Sequence, residues 1–117
     1  NDKIKLMKVS EINIKSNNQT VSLALSEFLV ELDRCKFCDI KLIKVITGYG
    51  SHGKGGEIKK ELLSLCGNLK REGKIKNYSS CEKLTKSYFH NLCIDFPNLI
   101  LDNEVSSYNS GVVIVEI

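Results

Sequence analysis

Five of the chain's eight glycines fall within nine residues, Gly48 to Gly56, inside the stretch TGYGSHGKGGEIKKEL (Thr47–Leu62). Before it, residues 40–47 (IKLIKVIT) are apolar apart from Lys41, Lys44 and the closing threonine. Such a run suits a strand in the interior of a sheet. After it, Ile58, Leu62, Leu65, Cys66 and Leu69 recur at helical spacing. Strand, glycine turn and helix form half of a crossover unit, and crossovers within one sheet are right-handed. This succession holds the chain to the α/β class more tightly than any other feature.

The remaining segments agree. Residues 9–15 (VSEINIK) alternate, with Ser10, Ile12 and Ile14 on one face and Glu11, Asn13 and Lys15 on the other, as in a half-buried strand. The tetrapeptide SNNQ reads as a loop, and Thr20 as a helix cap. Val21, Ala24, Leu25, Phe28, Leu29 and Leu32 form a helical stripe that should end near residues 35–37. KIKNY (74–78) reads as a third strand after Gly73, and GVVIVEI (111–117) as the last. Between them, residues 82–93 read as a third helix with Leu84, Tyr88 and Leu92 along one side, and Pro97 ends any helix there. The order β-α-β-α-β-(α)-β, with four strands and two main helices, suits a two-layer sandwich. At 117 residues one domain is expected, with residues 1–8 as an N-terminal extension and 79–109 as an insertion.

Charge is unevenly spread. Residues 41–76 carry nine Lys/Arg against three Glu, while residues 1–40 balance and residues 77–117 are net acidic. The basic excess surrounds the glycine stretch, so an anionic partner, nucleic acid first, is expected there; a solvated lysine-rich surface is the bland alternative. No apolar run approaches the length of a membrane span, and NDKIKLMKVS has no secretory-signal core. The sequence opens on Asn1, as a segment of a longer protein would. Five cysteines without framework spacing suit reduced thiols and a cytoplasmic setting. Cys35 and Cys38 form a lone C-x-x-C, which is a redox pair, half of a zinc site, or two small residues at a helix end; no second ligand pair is apparent, and no metal is expected.

The glycine stretch contains Gly48-Tyr49-Gly50-Ser51-His52-Gly53, a G-x-G-x-x-G between strand and helix. A dinucleotide site would need an acidic residue at the end of the next strand, where Asn77 and Tyr78 stand. Gly48-x-x-x-x-Gly53-Lys54 approaches a phosphate loop, but Gly55 takes the place of the magnesium-binding hydroxyl. What survives is shared physics. Glycines let the chain approach a partner, a helix start offers free N–H groups, and His52, Lys54, Lys59 and Lys60 flank the spot. A long turn that needs glycine for geometry alone is the alternative. Tyr49 offers either a ring for an unpaired base, worth about 1–3 kcal/mol, or packing of the loop on the helix.

The stretch TGYGSHGKGGEIKKEL, followed by KREGKIKNY and the terminal NSGVVIVEI, resembles the small MutS-related (Smr) domain. The likeness takes in TVSLALSEFLVELDRCKF as the first helix and covers about residues 9–78 and 108–117. It implies a βαβαββ two-layer sandwich with a four-stranded mixed sheet, and an extra helix/loop insertion before the last strand. It also implies binding and nicking of DNA, in some branches cutting of RNA, a link to DNA repair or recombination, and a place within a larger MutS-like protein.

The departures bear on chemistry. The family's first motif, L-D-x-H-G, corresponds here to Ile12, Asn13, Ile14, Lys15 and Ser16, and its second, H-G-x-G, to Thr47, Gly48, Tyr49 and Gly50. The three titratable groups of the usual pattern are thus Asn13, Lys15 and Thr47. Phosphodiester cleavage needs a group to activate the nucleophile and another to stabilise charge. Asn13 cannot accept a proton as an aspartate does, and a lysine cation suits a phosphate oxygen better than a proton. The expectation is therefore a nucleic-acid-binding module with degenerate nuclease motifs and no cofactor, contacting the backbone through Lys15, Thr47, Gly48, Tyr49, Gly50, Ser51, His52, Gly53, Lys54 and Lys59. One alternative is a nuclease rebuilt around His52, with Mg²⁺ or Mn²⁺. Another is a protein-interaction domain whose surface is segment 79–107, with Asp95, Asp102 and Glu104 beside outward-facing Phe96, Leu99 and Ile100. His90 is expected to be structural.

Overall fold

The computed structural model describes residues 8–15, 20–48 and 55–117. Strands β1 (Val9–Asn13), β2 (Leu42–Ile46), β3 (Asn77–Ser80) and β4 (Val112–Glu116) form one mixed sheet in the order β1-β2-β4-β3. β1 runs parallel to β2, with Val9 opposite Leu42 and Asn13 opposite Ile46. β4 lies antiparallel to both β2 and β3. Helices α1 (Val21–Phe37) and α2 (Gly55–Arg71) cover one face, which is the expected two-layer α/β arrangement.

The helical stripes explain that face. Ala24, Phe28, Leu32 and Cys35 of α1, with Ile58, Leu62, Cys66 and Leu69 of α2, bury against Ile43, Val45, Val113 and Val115. Thr20 caps α1, its hydroxyl accepting from the Leu23 N–H (3.1 Å). Every residue from Val112 to Val115 is buried because the sheet has a second cover. The segment between β3 and β4 lies on the opposite face, as α3 (Lys86–Asp95), a 3₁₀ turn (Pro97–Leu101) and α4 (Asn103–Ser106). There Leu84, Leu92, Phe96, Leu99 and Val105 pack on Leu42, Val112 and Ile114.

This corrects the expectation for segment 79–107. Phe96 and Leu99 point inward and are buried, whereas Ile100 does stay exposed. Asp102 and Glu104 are also engaged. The Lys44 ammonium, buried at the centre of β2, donates to Glu104 (2.7 Å) and Asp102 (2.9 and 3.1 Å) and lies 3.2 Å from Glu11. Burial alone would lower its pKa, but the hydrogen bonds it donates to Glu104, Asp102 and Glu11 outweigh that and raise the pKa above the ordinary lysine value.

Two boundaries moved. β3 starts at Asn77 because α2 is closed by Gly73 N–H to Lys70 and Lys74 N–H to Leu69, after which Ile75 is buried under the helices. The chain joins the sheet only at Lys76, whose N–H bonds the Glu116 carbonyl (2.8 Å). α3 starts at Lys86 because Thr85 caps it, accepting from the Tyr88 N–H (3.1 Å), and Cys81–Lys83 form a separate 3₁₀ turn.

Candidate functional site

The ends of β1 and β2 lie side by side, and the chain leaves β2 there towards the glycine stretch. Asn13 ends β1, and its side-chain oxygen accepts the Lys15 backbone N–H (3.0 Å). That turn leaves both Asn13 and Lys15 exposed. Across from them, the N–H groups of Thr47 and Gly48 both bond the Gly111 carbonyl (2.8 and 3.2 Å). Gly48 takes φ +79°, a conformation that suits glycine. A Cβ there would stand 3.1 Å from the Lys15 Cβ, so the lysine stem lies directly against the start of the loop.

Thr47 faces the other way. It is fully buried, and its hydroxyl donates to the Gly111 carbonyl (3.1 Å). Thr47 is therefore a strut between β2 and the start of β4. Gly111 is held in turn by Asn109, whose side-chain oxygen accepts the Gly111 N–H (2.8 Å). Sequence reading missed Asn109 and Gly111 as partners of the loop start. The turn chemistry of Asn-Ser-Gly was the available signal, but it says nothing about which distant strand the turn meets.

Tyr49, Gly50, Ser51, His52, Gly53 and Lys54 lie outside the described residues. α2 begins at Gly55 and carries Glu57 in its first turn. Lys59 is paired with Glu82, and Lys60 is exposed. Burial disfavours the Glu82 charge, but the hydrogen bond from Lys59 outweighs it and holds the carboxyl below its ordinary value. Of the sequence-predicted set, the structure brings Lys15, Thr47 and Gly48 together and commits Lys59 to an ion pair.

The other candidate groups are dispersed. His90 is exposed on α3, in the layer on the far face of the sheet. Cys35 is buried at the end of α1 and Cys38 is exposed at its cap. Burial pushes the Cys66 and Cys81 thiols up to about 12, so neither is a nucleophile near neutral pH. Among the described residues no group of three His, Cys, Asp or Glu side chains is placed to hold a metal ion, and no helix is long and apolar enough to cross a membrane. Compared with family models, with curated proteins and with solved structures, the chain has no match.

Proposed function

We propose that this chain is a nucleic-acid-binding module of Smr-like design, which contacts the phosphate backbone where β1 and β2 end and no longer cuts it. The observation that carries the reading is the contact between Lys15 and Gly48. Two segments more than thirty residues apart meet so that the exposed Lys15 stands beside Gly48, where the chain leaves β2. An ammonium and free helix N–H groups both favour an anion. The groups at the family's titratable positions support the loss of cutting. Asn13 spends its oxygen on a backbone turn, Lys15 is a cation, and the Thr47 hydroxyl is buried.

The test is a gel-shift panel with branched DNA and single-stranded RNA at 50 and 200 mM salt, beside a plasmid-nicking assay with Mg²⁺ and with Mn²⁺. Affinity that falls steeply with salt is expected, with Lys15→Gln weakening it and no nicking. Flat salt dependence would sink the reading. Nicking that disappears in His52→Ala would replace it with an active nuclease. Gain of cleavage is expected from Asn13→Asp with Lys15→His, since both positions are exposed. Thr47→His would force an imidazole into a fully packed site.

A further inference from the structure

We infer that a single-stranded polynucleotide lies in the groove between α2 and the edge strand β3, held by Lys70, Arg71 and Lys83. This extends the nucleic-acid reading above and rests on it. The groove encloses about 520 Å³ and has no carboxylate in its lining. Among the described residues, most cations elsewhere on the helical face and the sheet are answered by acids, as in Lys41–Asp39, Lys59–Glu82, Lys74–Glu72 and Lys76–Glu116. Among the described residues, Lys70, Arg71 and Lys83 have no carboxylate within ion-pair distance. Two of them are oriented by neutral oxygens instead. Lys70 Nζ donates to Asn77 Oδ1 (3.1 Å), and Arg71 Nη2 donates to Asn68 Oδ1. An amide oxygen fixes the position of a cation without neutralising it, so the full charge remains for a ligand.

The floor of the groove is built for room. Gly67 sits in the interior of α2, where glycine is unfavourable relative to alanine. A Cβ there would stand 3.2 Å from the Tyr78 hydroxyl and 3.7 Å from Arg71 Nη1. Glycine thus lets the tyrosine and the guanidinium lie against the helix.

The direction of the groove ties it to the loop end. β3 runs parallel to β1 and β2, because β4 is antiparallel to both β2 and β3. Ser80 and Lys83 therefore stand towards the end of the sheet where the glycine stretch departs, and Lys70 and Asn77 towards the other. β3 spans about 10 Å at about 3.3 Å per residue, and about three stacked nucleotides cover that length at about 3.4 Å each.

A single strand fits better than a duplex. Asn77 and Ser79 offer hydrogen bonds, and half-buried Tyr78 a ring, to base edges and faces that a duplex hides. An acidic peptide added to β3 fits less well. The strand has four residues, and Leu63 is the one aliphatic side chain in the lining, so alternate peptide side chains would find no pockets.

Fluorescence anisotropy of labelled mixed-sequence DNA and RNA 10-mers, single- and double-stranded, tests this on the full chain. Three phosphates neutralised on a single strand give a salt slope of about −2, or roughly 20-fold weaker binding from 50 to 200 mM salt. Lys70→Gln with Arg71→Gln should reduce that slope by about 1.4. Lys83→Gln should weaken single-strand binding several-fold, and Lys86→Gln on α3 should leave it unchanged. Gly67→Val, which removes no charge, should also weaken it by pushing Tyr78 and Arg71 aside; thermal melts confirm that each variant folds. Groove variants that bind like the parent, while Lys15→Gln does not, overturn this inference alone. Duplex that binds as tightly as single strand, with equal losses in the variants, overturns it too. So does displacement of the oligonucleotide by polyglutamate of equal charge, which would make the ligand an acidic peptide. A parent protein that binds no nucleic acid defeats both this inference and the reading it rests on.

Discussion

The two faces of the sheet are held by different physics. Under α1 and α2 the contact is apolar, made by Phe28, Ile43, Val45, Ile58 and Leu62, with no charged side chain among the residues buried there. Under the insertion an apolar cluster of similar kind surrounds a buried ammonium, and Lys44 bonds carboxylates that come from 58 and 60 residues away. The first face depends on shape and on area removed from water. The second depends in addition on a charge balance that no single element carries. Removing one member of such a cluster leaves the others uncompensated, whereas removing a methyl group leaves a void.

That contrast can be broken in order of expected effect. Phe28→Ala should cost about 4 kcal/mol, the range for a large buried aromatic. Lys44→Ala should cost about 3 kcal/mol, at the low end for one partner of a buried pair, because Glu11 and Glu104 are partly exposed and water can take them back. Lys44→Met, which keeps most of the packing volume, should cost less than Lys44→Ala. Urea unfolding of all three measures this, and a Lys44→Met variant as stable as the parent would show that the charge cluster contributes nothing. Gly48→Ala comes next, at about 1–2 kcal/mol for a side chain forced into a left-handed conformation, with added crowding from the Lys15 stem. The same unfolding experiment reads it out.

The smallest effects are those of pH, and they separate the two faces. On the α1 side, the hydrogen bond from Arg34, aided by Ser10, holds the Glu31 carboxyl at about 2. A lowered carboxyl pKa contributes stability that is present above the ordinary value of about 4.5 and lost as pH falls towards 2. Lys44 has the opposite sign. Its raised pKa contributes stability that is complete below the ordinary value of 10.5 and lost as pH rises above it. Stability curves should therefore lose their acid shoulder in Glu31→Gln and their alkaline one in Lys44→Met. Unchanged curves would show that these contacts carry no net energy.

Much of the α1/α2 face could be read directly. The stripes at Ala24–Phe28–Leu32 and Ile58–Leu62–Cys66 report the period of their own backbone, so the helices were legible without knowing what they pack against. The same holds for GVVIVEI as a strand. β3 was placed three residues early because Asn77–Ser80 is polar and half-open at a sheet edge, where no apolar alternation marks it. At the candidate site, Lys15 and Gly48 were singled out, and their adjacency is a product of the parallel pairing of β1 with β2. Thr47 read as a ligand-facing residue, and its neighbour across the sheet turned it inward.

Local pattern by itself determined α1, α2 and most of the strands, because hydrophobic period and capping act within a few residues of chain. Only the tertiary structure decided that β4 lies between β2 and β3, that the insertion covers the second face, that Lys44 is buried, and that Lys70, Arg71 and Lys83 share one groove. Each of those depends on groups brought together from far apart in the chain, and whether a charge is solvated or enclosed is set by all of its neighbours at once.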